Sequence, residues 1–253
     1  VLETLLALNA FHLLLVFTRL GTAFMLFPGF SAVFVSANIR LILAVALSVV
    51  CLPAVQGTLP SMPGSIPALV LLLAAEAGIG AFLGLMAQFL LVSVSLAGTV
   101  IGFSTGLMMA QAFDPVNAQQ SAIVSGFLSQ AALVLLMVMG LHHLMIEAVV
   151  GSYQVFLPGS FPDTGDTLRL FTQMLTGAFR IGWQIAAPFI VYSILFNTTL
   201  GILARLMPQL NVLFIAMPLQ IMAGLGLLMT AGPLILTTFL GELERGLRPL
   251  AIP

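Results

Sequence analysis

From Ala77 to Phe113 the chain reads AGIGAFLGLMAQFLLVSVSLAGTVIGFSTGLMMAQAF, without one Asp, Glu, Arg or Lys. A helix needs ~20 apolar residues to cross the hydrocarbon layer, and this run exceeds that length. Working outward, Glu76 and Asp114 bound it, and further uncharged runs cover residues 41–75, 115–146, 181–204 and 207–241. Backbone groups find no water in lipid, so only helices and closed barrels span it. Barrel strands would alternate polar and apolar residues over about ten positions. These runs do not alternate, so the fold is read as an all-α integral membrane protein.

Composition agrees. Of 253 residues, 60% are hydrophobic and 6% charged, with a mean hydropathy of +1.20, where an average soluble protein carries roughly 25% charged residues. A soluble domain could not cover so much apolar surface. That excludes an ordinary cytosolic enzyme, a disordered tail and a disulfide scaffold. The 7 basic residues are all Arg, against 8 acidic ones, which leaves no cationic face for nucleic acid. Cys51 is the single cysteine and reads as a small apolar helix residue. The opening Val1-Leu2-Glu3 has an acid and no basic region, so a cleaved secretory signal is not expected.

Breakers divide the chain into six expected helices, about 5–27, 39–55, 67–95, 120–148, 178–205 and 211–240. Pro28-Gly29 closes the first. Pro53, Pro60, Pro63 and Pro67 crowd the next link, Pro158-Gly159 and Pro162 mark another, and Met207-Pro208-Gln209 forms a tight turn. The second segment has only 15 uncharged residues between Arg40 and Gln56, short of a full crossing. The last contains Pro218 and Pro233 and is expected to kink. Both features favour long, partly kinked helices packed within a larger complex over helices bathed in lipid. The few cations, interleaved with acids, do not set an orientation.

Several motifs carry possible chemistry. Gly102-Phe103-Ser104-Thr105-Gly106 matches the nucleophile-elbow pattern, with His142 and His143 further along, as an intramembrane serine protease would need. An elbow requires a strand before the Ser, and none is readable. The recurrence of Gly98, Gly102 and Gly106 every four residues reads better as a flat helix-packing groove. His143 and Glu147 share a helix face with His142 adjacent, but zinc catalysis wants three rigidly held ligands, so a polar cap is expected. Asp163-Thr164-Gly165 reads as a turn. Asn197-Thr198-Thr199 lies inside an apolar run. No cofactor or metal site is expected.

Arg19 and Glu76 each interrupt an apolar helix. An unpaired charge at depth costs at least ~2.5–3.5 kcal/mol, so such residues pair or face a polar cavity. Asp114 lies in a polar insert, Gln111-Ala112-Phe113-Asp114-Pro115-Val116-Asn117-Ala118-Gln119-Gln120, directly after Thr105-Gly106-Leu107-Met108-Met109-Ala110. Such a stretch is tolerated at membrane depth only inside protein or beside water. It fills a pore or is a plain surface connection; the residues alone leave both open. A solute or ion transporter with Arg19, Glu76 and Asp114 on its pathway is a rival reading. Transporters show related halves, and no such symmetry is visible.

Two passages carry a resemblance. Gly201-Ile202-Leu203-Ala204-Arg205-Leu206-Met207-Pro208-Gln209-Leu210-Asn211-Val212, followed by Ile215-Ala216-Met217-Pro218-Leu219-Gln220-Ile221, is one; Gly106–Pro115 is the other. Arg19 with Pro28, and Asn38-Ile39-Arg40, agree with them. Together they resemble the FliR family of flagellar type III secretion export-gate subunits, over nearly the whole chain. The resemblance implies a non-enzymatic subunit of the bacterial inner membrane at the flagellar basal body. FliP and FliQ would be its partners, with FlhB and FlhA nearby and unfolded flagellar proteins as substrates. It implies a FliP-like part over 1–175, including a plug loop at about 102–120, and a FliQ-like hairpin over 176–253. Met108, Met109, Phe113, Asp114 and Pro115 would form the plug. Arg205, Pro208, Gln209 and Asn211 would form the cytoplasmic tip of the hairpin.

Overall fold

The computed structural model describes residues 2–32, 35–108, 123–159, 164–207 and 212–248. Seven helices run through them: α1 (Leu2–Leu26), α2 (Ala37–Val55), α3 (Ile66–Ser104), α4 (Ile123–Val138), α5 (Leu141–Val155), α6 (Thr164–Leu206) and α7 (Val212–Leu247). The described residues contain no strand. The protein is therefore all-α and built for a membrane. Ala37–Thr58, Ile66–Ser104, Leu168–Leu206 and Ala216–Leu247 are each long and apolar enough to cross one. The bent pair α4–α5 raises the number to five if it counts as one span.

Several boundaries differ from the sequence reading, and α7, expected to end at 240, continues to Leu247. The segment expected at 120–148 is two helices bent by 72°, because Gly140 takes a left-handed φ of 72° that other residues adopt at a cost. α3 continues to Ser104 and reaches 39 residues, since nothing from Leu91 onward breaks it. α6 starts at Thr164 and runs 43 residues; Leu168, Phe171 and Leu175 recur at helical spacing through what was expected to be a link. The second segment, expected to fall short, is long enough once the 3₁₀ turn Gln56–Thr58 is added. Pro53, Pro188, Pro218 and Pro233 all lie within continuous helices. At ~1.5 Å per residue, α3 is about 58 Å long, roughly twice a ~30 Å hydrocarbon layer.

Local chemistry sets the helix starts. Ser36 caps α2 by accepting from the Ile39 N–H at 3.5 Å. Arg40 turns back to donate to the Val35 carbonyl at 2.8 Å and the Ala32 carbonyl at 2.9 Å, closing the turn ahead of α2.

The chain forms two compact units, each assembled from separated stretches. The first draws its described residues from 1–89, 136–175 and 242–253. Its core joins Phe11, Leu15 and Leu72, and, beside them, Val16, Val55 and Tyr153. His12 Nε2 bonds the Pro60 carbonyl at 3.1 Å and fastens the Pro-rich link to α1. Phe171 meets Phe89 edge-on at 5.2 Å. In the same unit a side chain at Gly80 would run into the Arg19 carbonyl and Thr22 Oγ1, and one at Gly84 would lie 2.6 Å from Leu26 Cβ. Gly80 and Gly84 are thus the small face on which α1 and α3 close together.

The second unit draws on 90–135 and 176–241. Here a Cβ at Gly98 would collide with the Ser125 backbone, and Gly182 brings α6 within 2.9 Å, by the same measure, of the Ser93 carbonyl. Ser95 and Ser125 join α3 to α4 through hydroxyls 2.9 Å apart. Large apolar side chains cover the remaining surface of both units: Val50 is 74% exposed, Ile66 78% and Met229 80%.

Candidate functional site

The first constellation is the charge network of the first unit. Arg19 on α1 and Glu76 on α3 are both 0% exposed. The guanidinium grips the carboxylate with two parallel bonds, Nε to Oε2 at 2.7 Å and Nη2 to Oε1 at 3.1 Å. Nη1 donates to Ser152 Oγ at 3.1 Å, and Nη2 also to the Phe156 carbonyl at 3.0 Å. The Tyr153 ring lies 3.8 Å below the guanidinium carbon, a cation–π contact that strengthens where water is excluded. Four of the five guanidinium N–H groups are thereby used. Opposite charges and bidentate geometry offset the desolvation of both ions. Two ions neutralising each other and closed off by α5 do not offer a solute pathway. Ser152, Tyr153 and Phe156 carried no sequence signal, because they lie past the helix expected at 120–148, in what read as a connection.

The second constellation is the end of α3. Thr105 N–H bonds the Ile101 carbonyl at 2.9 Å and Gly106 N–H bonds the Phe103 carbonyl at 3.1 Å. Gly106 then takes φ 76°, the left-handed turn that ends many helices. The last carbonyls of a helix lack internal partners. That of Ser104 accepts from Gln220 Nε2 of α7 at 3.2 Å. Gln220 is held in turn, its own carbonyl accepting from the Tyr192 hydroxyl of α6 at 2.8 Å. One turn further along α7, a Cβ at Gly224 would stand 2.6 Å from Thr105 Cβ and Cγ2. Gln220 was quoted in the sequence only as part of a passage. A polar residue two positions after Pro218 in an uncharged run was the available signal.

Beyond Gly106, Met108 is half-buried and is the last described residue before the insert. Met109, Phe113, Asp114 and Pro115 lie outside the described residues, as do Pro208, Gln209 and Asn211. Arg205 is exposed in the last turn of α6, where a cation favours the helix dipole. Of the glycine series, Gly98 is covered by α4, Gly102 is buried, and Gly106 is a helix terminus beside the Gln220 side chain.

The residues before Ser104 are helical, so the strand that a nucleophile elbow needs is absent there. His142 and His143 stack at 4.0 Å in the first turn of α5, and Glu147 is exposed. Among the described residues no three His, Cys, Asp or Glu side chains gather as a metal site requires. Asn197 donates to the Ser193 carbonyl at 2.8 Å in the middle of α6.

Residues 10–246 match the family described as bacterial export proteins, family 1. The flagellar biosynthetic protein FliR of Caulobacter vibrioides is 36% identical over 214 residues, 85% of either chain. That of Bacillus subtilis is 33% identical over 82% of this chain and 81% of its own. That of Aquifex aeolicus is 30% identical over 89% and 87%. The chain belongs to the FliR family. Together with its apolar helices, membership makes it a membrane component of flagellar protein export. Within this FliR-family chain the second constellation is the better candidate for function, because it stands where the apolar helix α3 gives way to the polar insert.

Proposed function

We propose that this FliR-family chain is a non-enzymatic subunit of the flagellar export gate in the bacterial inner membrane, and that its insert closes the channel. In this reading it assembles with FliP and FliQ, with FlhB and FlhA nearby, and passes unfolded flagellar proteins. Residues 1–175 form a FliP-like part and 176–253 a FliQ-like hairpin. Met108, Met109, Phe113, Asp114 and Pro115 form the obstruction, and Arg205, Pro208, Gln209 and Asn211 the cytoplasmic end of the hairpin.

The observation that carries the reading is the break after α3 at Thr105-Gly106, where Gly106 takes a left-handed φ before Leu107 and Met108 turn helical again, at the start of a stretch with two adjacent Met, a Phe and an Asp-Pro. Met adapts to an irregular gap. The residue before Pro is disfavoured in helical backbone, and Asp favours a tight turn. The result is a soft obstruction on a stiff stem, suited to a pore that must hold ions yet pass a polypeptide. Deleting residues 108–113 tests it. The gate complex recovered from membranes should remain assembled and conduct ions in planar bilayers, and its overproduction should slow growth. An assembled deletion complex as tight as the parent would remove the assignment.

A further inference from the structure

We propose that Gln220 is the anchor of the gate segment, a positioning residue through which the α6–α7 hairpin holds the point where that segment leaves α3. The proposal rests on the reading of residues 108–115 as the obstruction, and it adds the side chain that keeps the obstruction in place.

Ala216, Gln220 and Gly224 recur every four residues on one face of α7. Ala216 and Gly224 are buried. Gly224 has no side chain, and that lets α7 lie against Thr105, which is 1% exposed. One turn away, Gln220 reaches the Ser104 carbonyl, and its amide stands 3.3–3.5 Å from where a Gly106 Cβ would lie. Two successive residues of the α3 end are therefore touched by two positions on one α7 face. The Gln220 backbone carbonyl accepts from the Tyr192 hydroxyl, so α6 holds the turn of α7 whose side chain reaches α3.

The choice of residue is informative. A helix end can leave its last carbonyls to water, or have them met by the chain that follows. Here a side chain more than a hundred positions later supplies the donor, and Gly106 then permits a sharp change of direction. A movement of the hairpin would pull on the stem of the obstruction through this one bond. Two residues before Gln220, Pro218 deprives α7 of one N–H, which leaves that turn of the hairpin less rigid.

The test compares ion conductance of purified gate complexes, made with co-expressed FliP and FliQ. The set comprises parent, the 108–113 deletion, Gln220→Met, Tyr192→Phe and Gly226→Ala. Gln220→Met keeps bulk and helix preference but has no amide donor. Losing one hydrogen bond of this kind moves the closed–open balance about two- to tenfold toward open. Gln220→Met should therefore assemble in parental yield and leak by that factor, and Tyr192→Phe should leak less. Gly226, where an added Cβ meets open space, should substitute silently. If Gln220→Met is tight while the deletion leaks, the anchor is overturned and the obstruction stands. If both are tight, the obstruction falls and the anchor with it. A Gln220→Met leak beside a tight deletion overturns the anchor, because the leak then bypasses the segment. If Gln220→Met does not assemble, Tyr192→Phe carries the test, and a tight complex from it overturns the proposal.

Discussion

Arg19 shows what a single residue contributes when its surroundings are complete. A charge in an apolar helix is costly, and here a carboxylate, a hydroxyl, a carbonyl and an aromatic face take up that cost together. Removing either ion leaves the other buried without its counter-ion, a loss of about 3–5 kcal/mol. Arg19→Ala and Glu76→Ala should each lower the thermal unfolding temperature in detergent and the yield of assembled gate. The double substitution should be less than additive in the same two measurements, since the pair is one interaction. Fully additive losses would show that each ion is held mainly by something else. Arg19→Lys should recover little, because an ammonium cannot reach the carboxylate, Ser152 and Phe156 at once.

At the scale of the helix, the glycines of α3 divide into those that pack and those that only soften. Gly78 and Gly80 are two residues apart and point to different faces. An added Cβ at Gly78 meets nothing, whereas at Gly80 it meets the Arg19 carbonyl and Thr22. A helical Gly→Ala change in open space stabilises by up to about 1 kcal/mol. Gly78→Ala should thus raise the unfolding temperature slightly and Gly80→Ala should lower it, measured on the same preparation. Equal shifts would mean that α1 and α3 are less closely opposed than described. The sequence reading chose the Gly98, Gly102 and Gly106 series because it repeats every four residues. Gly80 and Gly84 repeat in the same way, and spacing alone could not rank the two. Only the position of Arg19 and Ala23 on the neighbouring helix does so.

At the scale of the molecule, α3, α6 and α7 each run well past the ~30 Å depth of a bilayer core, and large apolar faces stay uncovered among the described residues, as suits a chain surrounded by lipid and by other proteins. The proposed hairpin of α6 and α7 would set orientation. If its tip is cytoplasmic, an Arg205→Cys protein in a Cys51→Ser background should resist a membrane-impermeant thiol reagent in intact spheroplasts. It should be modified in inverted vesicles. The opposite pattern would turn the hairpin round.

The sequence by itself determined the class of the protein, for a reason that does not depend on contacts. Uncharged runs longer than a bilayer core leave a backbone only one economical way to satisfy its N–H and C=O groups, and that way is helical. It also exposed Arg19 and Glu76 as ions of opposite sign needing partners, since burial of charge is legible one residue at a time. The residues of the proposed gate passage were singled out through resemblance. What tertiary structure alone decided is which groups meet. The closing of Arg19 by Ser152, Tyr153 and Phe156 depends on helix rotation and crossing angle, as do the break at Gly140 and the reach of Gln220 to Ser104. In an almost uniformly apolar chain, local composition carries no record of those angles, so positions distant in sequence can be paired only in space.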